Sequence, residues 1–317
     1  MKMMRKIIPA PTALRNTASR VWLCLLFIVV TPKLYGQQQV MFTQYMFNQL
    51  ALNPAYAGIH EGISASLLLR EQWVGFEGAP STQTFSAHSP LGHRPISIGG
   101  TIVRDRIGIN TETGIHLSYA YRIRATENSQ LSFGLQSSLT NYNADFSDAA
   151  TDPSLAGASI NDFNPNVGMG VMWHSERFYL GFSIPQMLNY SLGNVDGVEI
   201  TQIRHYFISS GYVFDLSPVV KLKPNVLLKA VQGAPVQIDL NANVLLKELI
   251  WLGISYRSFD SIDALFQLQI TPQFQLGYAY DFATTTEIRR VNSGSHEIML
   301  NYIFHRPSKK ILTPRYF

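Results

Sequence analysis

The feature that most constrains the fold is an alternation of apolar and polar residues with a period of two. Between Val236 and Val244 the even positions are apolar, whereas the odd positions are Gln or Asn apart from Asp239. Successive side chains of a strand point to opposite faces, so this segment predicts a strand with one apolar and one polar face. Fourteen such segments follow one another, at roughly 61–70, 81–88, 95–105, 113–124, 130–141, 164–174, 177–185, 203–215, 218–230, 235–246, 249–257, 261–270, 273–283 and 294–305.

The lengths and spacing of these segments favour an all-β transmembrane antiparallel barrel. Many have about ten residues, the length that crosses a bilayer when tilted, and their number is even. In the first half of the chain and at its end, long connections (71–80, 142–163, 186–202, 284–293) alternate with short ones, as extracellular loops and periplasmic turns do in outer-membrane barrels, whereas the later connections 231–234 and 258–260 are both short.

A soluble all-β sandwich or barrel would also alternate, with its apolar face turned inward. Aromatic residues near strand ends favour the membrane, because interfacial girdles are aromatic. They occur in pairs, at Tyr119 and Tyr121, Tyr212 and Phe214, Tyr256 and Phe259, and Tyr302 and Phe304.

Residues 1–36 have the layout of a secretory signal peptide. A basic stretch precedes an apolar run from Val21 to Val30, which is shorter than a membrane-spanning helix and so disfavours a retained anchor. These residues hold six of the 25 Lys and Arg and none of the 21 Asp and Glu, which leaves 19 basic and 21 acidic residues. Without a basic excess, a nucleic-acid partner is not expected.

The rest of the chain offers little chemistry. The one cysteine, Cys24, lies in the apolar run, so no disulfide or thiolate site is expected beyond residue 36. No metal-ligand spacing or nucleophile elbow is present; we expect no catalytic residue, cofactor or metal, although a Ser–His pair assembled in space stays open.

Charged residues fall on the polar phase of their strands. A network of paired charges filling the lumen is the simpler interpretation, and a selective pore is the alternative. These residues are Arg70, Arg122, Lys221, Lys223, Lys229, Asp239, Arg257, Asp263, Asp281 and Glu297.

Residues 37–60 depart from the strand pattern. Met41, Phe42, Tyr45 and Leu50 recur near helical spacing until Asn53-Pro54 ends the pattern. A short apolar helix would be costly to leave bare, so we expect it to dock in the barrel mouth, as a plug, or on a periplasmic partner.

Several stretches resemble the PorP/SprF family of outer-membrane proteins associated with type IX secretion. They are QYMFNQLALNPAYAG at 44–58, LREQWVGFEGAPST at 69–82, QIDLNANV at 237–244, WLGISYRSFD at 251–260, GYAYDF at 277–282 and SGSHEIMLNYIF at 293–304.

This resemblance implies a non-enzymatic barrel in the outer membrane of a Gram-negative bacterium. It would assist the export or surface attachment of a large secreted adhesin-like protein with a type B C-terminal domain, in some members for gliding motility. Its partners would be outer-membrane lipid, that secreted protein and periplasmic secretion components. An outer-membrane transporter or porin for small solutes is the alternative.

The expected organisation is a signal peptide (1–36), a periplasmic or plug segment (37–60), the barrel (61–305) and a periplasmic C-terminal tail (306–317). Partner binding is expected on the long loops, since loops on a rigid scaffold carry most recognition. The candidates are two aromatic and three acidic residues: Trp73, Phe76, Asp145, Asp148 and Asp152. The acidic loop lacks the ligand spacing of an EF-hand, so calcium binding is the weaker reading.

Overall fold

The structure, a computed structural model, describes residues 39–60, 62–92, 94–145, 159–195, 198–284 and 293–304. The expected signal peptide and the C-terminal tail lie outside the described residues. So do Asp148 and Asp152.

Fourteen antiparallel strands close into a barrel, as the alternation predicts. The strands are β1 (Ile63–Glu71), β2 (Ser81–Pro90), β3 (Ile96–Ile107), β4 (Asn110–Thr126), β5 (Ser129–Asp145), β6 (Ser159–Ser175), β7 (Phe178–Ile184), β8 (Tyr190–Val195), β9 (Val198–Gln202), β10 (His205–Tyr212), β11 (Phe214–Ser217), β12 (Val220–Val231), β13 (Gln237–Leu246), β14 (Ile250–Arg257), β15 (Ser261–Gln269), β16 (Phe274–Ala283) and β17 (Ser295–Phe304). β10 and β11 both pair with β12 and form one wall strand interrupted at Val213, whereas β8 and β9 form a separate hairpin. The barrel closes where β1 pairs with β17, with Arg70 opposite Glu297.

The apolar phase faces outward and the polar phase faces the lumen. On β13, Ile238 and Leu240 are 40% and 51% exposed, whereas Asp239 and Asn241 are 1% and 4% exposed. This is the reverse of a soluble sandwich, in which the apolar face is buried. The paired aromatics named above also lie on the outer surface, as a lipid-facing girdle requires.

The two ends of the barrel differ. At one end, called the turn end, all the connections are short: 91–95, 127–128, 176–177, 218–219, 247–249 and 270–273. At the other, called the loop end, lie the connections 72–80, 108–109, 146–158, 185–204, 232–236, 258–260 and 284–294.

Two expected loops differ from the sequence-based expectation, one in its length and the other in its structure. β5 continues to Asp145 and β6 begins at Ser159, so the connection expected at 142–163 narrows to 146–158, outside the described residues. The connection expected at 186–202 contains the β8–β9 hairpin. Polar residues such as Asn161, which accepts a hydrogen bond from Asn141 on β5 at 2.6 Å, interrupt the apolar alternation, so the sequence does not indicate the extension of β6.

Residues 39–60, hereafter the plug, do not form the expected apolar helix. They make three 3₁₀ helices, Tyr45–Phe47, Gln49–Ala51 and Pro54–Tyr56, and most of their side chains are buried. Among the described residues, no helix is long and apolar enough to span a membrane.

Candidate functional site

The plug runs through the lumen from the loop-end half of the barrel to the turn end. Its first part contacts Arg70, Asp281 and Glu297, which lie near the loop end of their strands. Its last part contacts His88 and Arg122 near the turn end. The interior is therefore occupied along much of its height by the chain's own residues.

A buried ionic network holds the loop-end half of the plug. Arg70 pairs with Asp281 at 2.7 Å and with Glu297 at 3.0 Å, and all three side chains are at most 4% exposed. Thr43 lies between them: its hydroxyl accepts a hydrogen bond from Arg70 at 2.7 Å and donates to Asp281 at 2.8 Å. The Glu297 carboxylate accepts the backbone N–H groups of Thr43 and Gln44, both at 2.8 Å.

A second arginine extends this network around the wall. Arg257, 1% exposed, pairs with Asp239 at 3.0 Å and donates to the Phe42 carbonyl at 3.3 Å. Lys229 reaches the Gln39 carbonyl at 3.5 Å. The plug backbone thus satisfies donors and acceptors that would otherwise be buried without partners.

The middle of the plug packs on aromatic and cationic side chains. Phe47 stacks edge-on against Trp251 with ring centroids 5.8 Å apart, and the Lys223 ammonium lies 4.8 Å from the Phe47 ring centroid. This is cation–π geometry in a desolvated setting. On the opposite wall, the Ser86 hydroxyl donates to the Asn48 side chain at 2.8 Å.

The backbone of the turn-end half of the plug packs closely against glycine residues of the wall strands. A Cβ built on Gly134 would lie 2.2 Å from the Ala55 nitrogen, and one on Gly170 would come close to the Asn53 side chain. Asn53 caps the third 3₁₀ helix by accepting from Ala55 at 2.9 Å, and it donates to the Val171 carbonyl at 3.2 Å. Glycine within a strand often marks such an approach of another backbone, a signal the period-two analysis passed over.

Arg122 fastens the last residues of the plug. Its guanidinium donates to the Gly58 carbonyl at 2.9 Å and to the Ala57 carbonyl at 3.0 Å. The Gly58 N–H donates to His88 at 3.0 Å, and Gly58 has a φ of 71°, which favours glycine. The wall side chains of Arg122 and His88 therefore hold the plug backbone at this end of the lumen.

The connection 72–80 is an ordered loop at the loop end. Val74 exchanges backbone hydrogen bonds with Gly294 at 2.9 Å and Ser293 at 2.8 Å, and the Trp73 N–H donates to Ser295 at 3.2 Å. Trp73 has a φ of 48°, a strained value for a large side chain that these bonds hold in place.

The predicted partner-binding residues are only partly brought together. Phe76 is 51% exposed and Val74 beside it is 38% exposed, whereas Trp73 is half-buried. Gly108 donates to Gly78 at 2.8 Å, which places the neighbouring Ile107 and Ile109, 46% and 36% exposed, at the same end. Asp145 lies at the end of β5, and the remaining candidates, Asp148 and Asp152, are not among the described residues.

No group of three or more His, Cys, Asp or Glu side chains within the described part of the chain has the geometry to hold a metal ion. The histidines on β2, β4, β6, β10 and β17 are dispersed around the wall. His296 faces outward and hydrogen-bonds to the Tyr278 hydroxyl at 2.8 Å.

Comparison with known proteins identifies the family. Residues 34–302 match the model of the type IX secretion system membrane protein PorP/SprF, so the chain belongs to that family. It is a β-barrel of the outer membrane of Gram-negative bacteria with a role in type IX secretion. No curated protein matches the chain.

Solved barrels are similar to it at low identity. A FadL homologue from Pseudomonas aeruginosa is 14% identical with a TM-score of 0.44, over 80% of this chain and 93% of that chain. Omp33 from Acinetobacter baumannii is 9% identical with a TM-score of 0.44, over 78% and 100%. The monoaromatic hydrocarbon channel CymD is 14% identical with a TM-score of 0.46, over 86% and 95%.

Proposed function

We propose that this protein is a non-enzymatic accessory and anchor of type IX secretion, with a lumen that stays closed while it works. It would assist export or surface attachment of a large adhesin-like protein carrying a type B C-terminal domain, and its own machinery partners would be periplasmic. The observation that carries the proposal is the plug, which is bound by hydrogen bonds to a buried ionic network of the wall at one end and by close backbone fit and Arg122 at the other. A fourteen-stranded barrel filled in this way has no room for a folded protein to pass.

The alternative is a transporter of small solutes, for which the plug would have to move. A cross-link separates the two functions. Asn48 and Ser86 hydrogen-bond at 2.8 Å, so Asn48→Cys with Ser86→Cys places two thiols on the plug and the wall, and the native Cys24 lies in the expected signal peptide. Oxidised cells should display the secreted protein at the wild-type level, with the single-cysteine variants as controls. Loss of display on oxidation, restored by reductant, would overturn the closed-lumen proposal.

We propose that the loop end forms the docking platform for the secreted protein. Phe76 and Val74 are exposed on a loop that backbone hydrogen bonds hold rigid, and rigid aromatic anchors concentrate binding energy at interfaces. Replacing Phe76 and Trp73 separately by Ala distinguishes the roles of the two rings. Phe76→Ala should lower surface display while barrel abundance stays normal. A fall in barrel abundance for Phe76→Ala would make that ring structural and end its part in the proposal.

Deletion of the whole gene tests the secretion role directly. The proteome of the cell surface should lose one large protein, while the uptake of small hydrophobic and polar solutes stays unchanged. Whether gliding motility fails as well depends on whether that protein is the motility adhesin. Normal surface proteins with impaired solute uptake would instead favour the transporter.

A further inference from the structure

The outer surface of the barrel changes from apolar to polar within one row of residues at the loop end of β2, β3 and β4. Phe85, Ile102 and Ile115 are directly paired across these strands and are 47%, 47% and 50% exposed. The next outward row toward the loop end consists of Gln83, Arg104 and Thr113, and the one after it of Ser81, Arg106 and Thr111. The apolar band that faces lipid therefore ends between Ile102 and Arg104.

Arg104 and Arg106 point away from the lumen. They share the phase of Ile98 and Ile102, which are 46% and 47% exposed, whereas Ser97 and Thr101 on the other phase are 2% and 3% exposed. Both arginines are exposed, and two residues along a strand separate their Cα atoms by about 7 Å. Two guanidinium groups thus lie next to each other at the loop-end edge of the lipid-facing band.

No described residue forms an ion pair with either arginine. The outward carboxylate nearest along the register is Glu71, two strands from Arg106, about 10 Å away by strand spacing. Glu71 accepts a hydrogen bond from Ser81 at 2.6 Å. This contrasts with the lumen, where both fully buried arginines are paired with carboxylates.

We propose that Arg104 and Arg106 bind the phosphate group of an anionic membrane-lipid headgroup. Guanidinium groups match phosphate oxygens in pairs of parallel hydrogen bonds, and a basic cluster at the membrane boundary attracts anionic headgroups. The amide group of Gln83 and the hydroxyl group of Thr113 flank Arg104, and can donate further hydrogen bonds to the same headgroup. The acyl chains of that lipid would lie on Phe85, Ile102 and Ile115, which form the next outward row toward the turn end. This proposal rests on the barrel alone and not on the secretion role.

The test uses the purified full-length protein in detergent, with phosphatidic acid and phosphatidylcholine as probes and native mass spectrometry to count retained lipids. R104Q/R106Q removes both charges from exposed positions. It should retain phosphatidic acid about tenfold less than the wild type, the loss expected if about 1.4 kcal/mol of binding is removed. The control R94Q/R124Q removes two exposed arginines at the turn end and should retain phosphatidic acid like the wild type.

Several results would overturn the proposal. Unchanged retention in R104Q/R106Q, or an equal loss in R94Q/R124Q, would mean that this arginine pair is not the site. Equal retention of phosphatidylcholine would mean that headgroup charge is not recognised. Full displacement of phosphatidic acid by inorganic phosphate at the same concentration would remove the role of the acyl chains. Normal lipid retention with lost display of the secreted protein would assign the arginines to a protein partner.

Discussion

The two halves of the plug are held in the same lumen by different physical means. The loop-end half is fixed by charge: Thr43 and Gln44 are bound within a network of Arg70, Asp281 and Glu297. The turn-end half is fixed by close backbone fit, because it lies against strand glycines that leave no room for a side chain, and by the Arg122 hydrogen bonds to its last carbonyls.

Chain connectivity explains this difference. The turn-end half is followed at once by β1, so the covalent chain already places it beside the wall. Thr43 lies twenty residues before Ile63, so side-chain contacts must place it. Paired charges with defined geometry specify one position where apolar contact would accept several, at a desolvation cost that the pairing has to offset. The comparison predicts that removing a charge costs most at the loop end, where carboxylates are left buried without their cation, and that added volume acts at the turn end.

The largest effect is expected for Arg70→Met. The substitution leaves Asp281 and Glu297 buried without their cation, and breaking such a pair from one side costs about 3–5 kcal/mol. The free energy of unfolding of the barrel in detergent, measured by urea titration, gives the size of the loss.

Arg177→Met is the matched control. Arg177 pairs with Asp215 at 2.6 Å, but their side chains are 54% and 36% exposed, and solvent-screened pairs contribute less than about 1 kcal/mol. Equal losses for the two arginines would show that burial does not strengthen the loop-end network, and the comparison would fail.

Arg122→Met should have the next largest effect. It removes the hydrogen bonds that the guanidinium donates to the Gly58 and Ala57 carbonyls and to the Ser132 hydroxyl, so we expect a loss of about 2–3 kcal/mol. The expected local result is exposure of the plug's turn-end residues to protease, measured on folded barrels. A larger loss of unfolding free energy for Arg122→Met than for Arg70→Met would contradict the expectation that charged side chains contribute most to stability at the loop end.

Gly134→Ala tests shape alone. The added methyl group would lie 2.2 Å from the Ala55 nitrogen and 2.4 Å from the Pro54 carbonyl carbon, so the plug has to move, at a cost of about 1–3 kcal/mol. On β3, a Cβ at Gly100 would meet its nearest neighbour at 3.8 Å, so Gly100→Ala should change stability by less than about 0.5 kcal/mol. Similar urea midpoints for both alanine variants would mean that the plug does not depend on close approach at Gly134.

The strands of the barrel wall can be predicted from the sequence better than the conformation of the plug inside the barrel, for a physical reason. Within each strand, the alternation of apolar and polar residues indicates which face meets lipid. All fourteen strands and the outward orientation of Ile238 and Leu240 can therefore be predicted without tertiary information. The charged lumen residues were placed on the correct phase for the same reason.

The plug could not be predicted in this way. Its apolar residues at near-helical spacing suggested a helix, but Tyr45, Met46 and Leu50 are buried against the wall, so packing around a closed lumen sets their conformation. The Thr43–Glu297 contact joins residues 254 positions apart, and no local pattern encodes it. Likewise, only the register between β2, β3 and β4 places Arg104 one row above the apolar band.

The smallest effect is expected for Thr43→Val, which removes one hydroxyl from the centre of the network and keeps the side-chain volume. Arg70 and Asp281 stay paired with each other, and the Thr43 N–H still donates to Glu297. The loss should therefore be that of one hydrogen-bonded hydroxyl, about 1–2 kcal/mol. Thr84 provides the control, since its buried hydroxyl has no hydrogen-bond partner among the described residues, and Thr84→Val should be neutral or slightly stabilising. Because Thr43 and Arg70 share partners, their losses should not add in the double variant, and urea titration of both single variants and the double variant measures that coupling. Strict additivity would mean that Thr43 and Arg70 act independently, and the loop-end half of the plug would then not be held by one connected network.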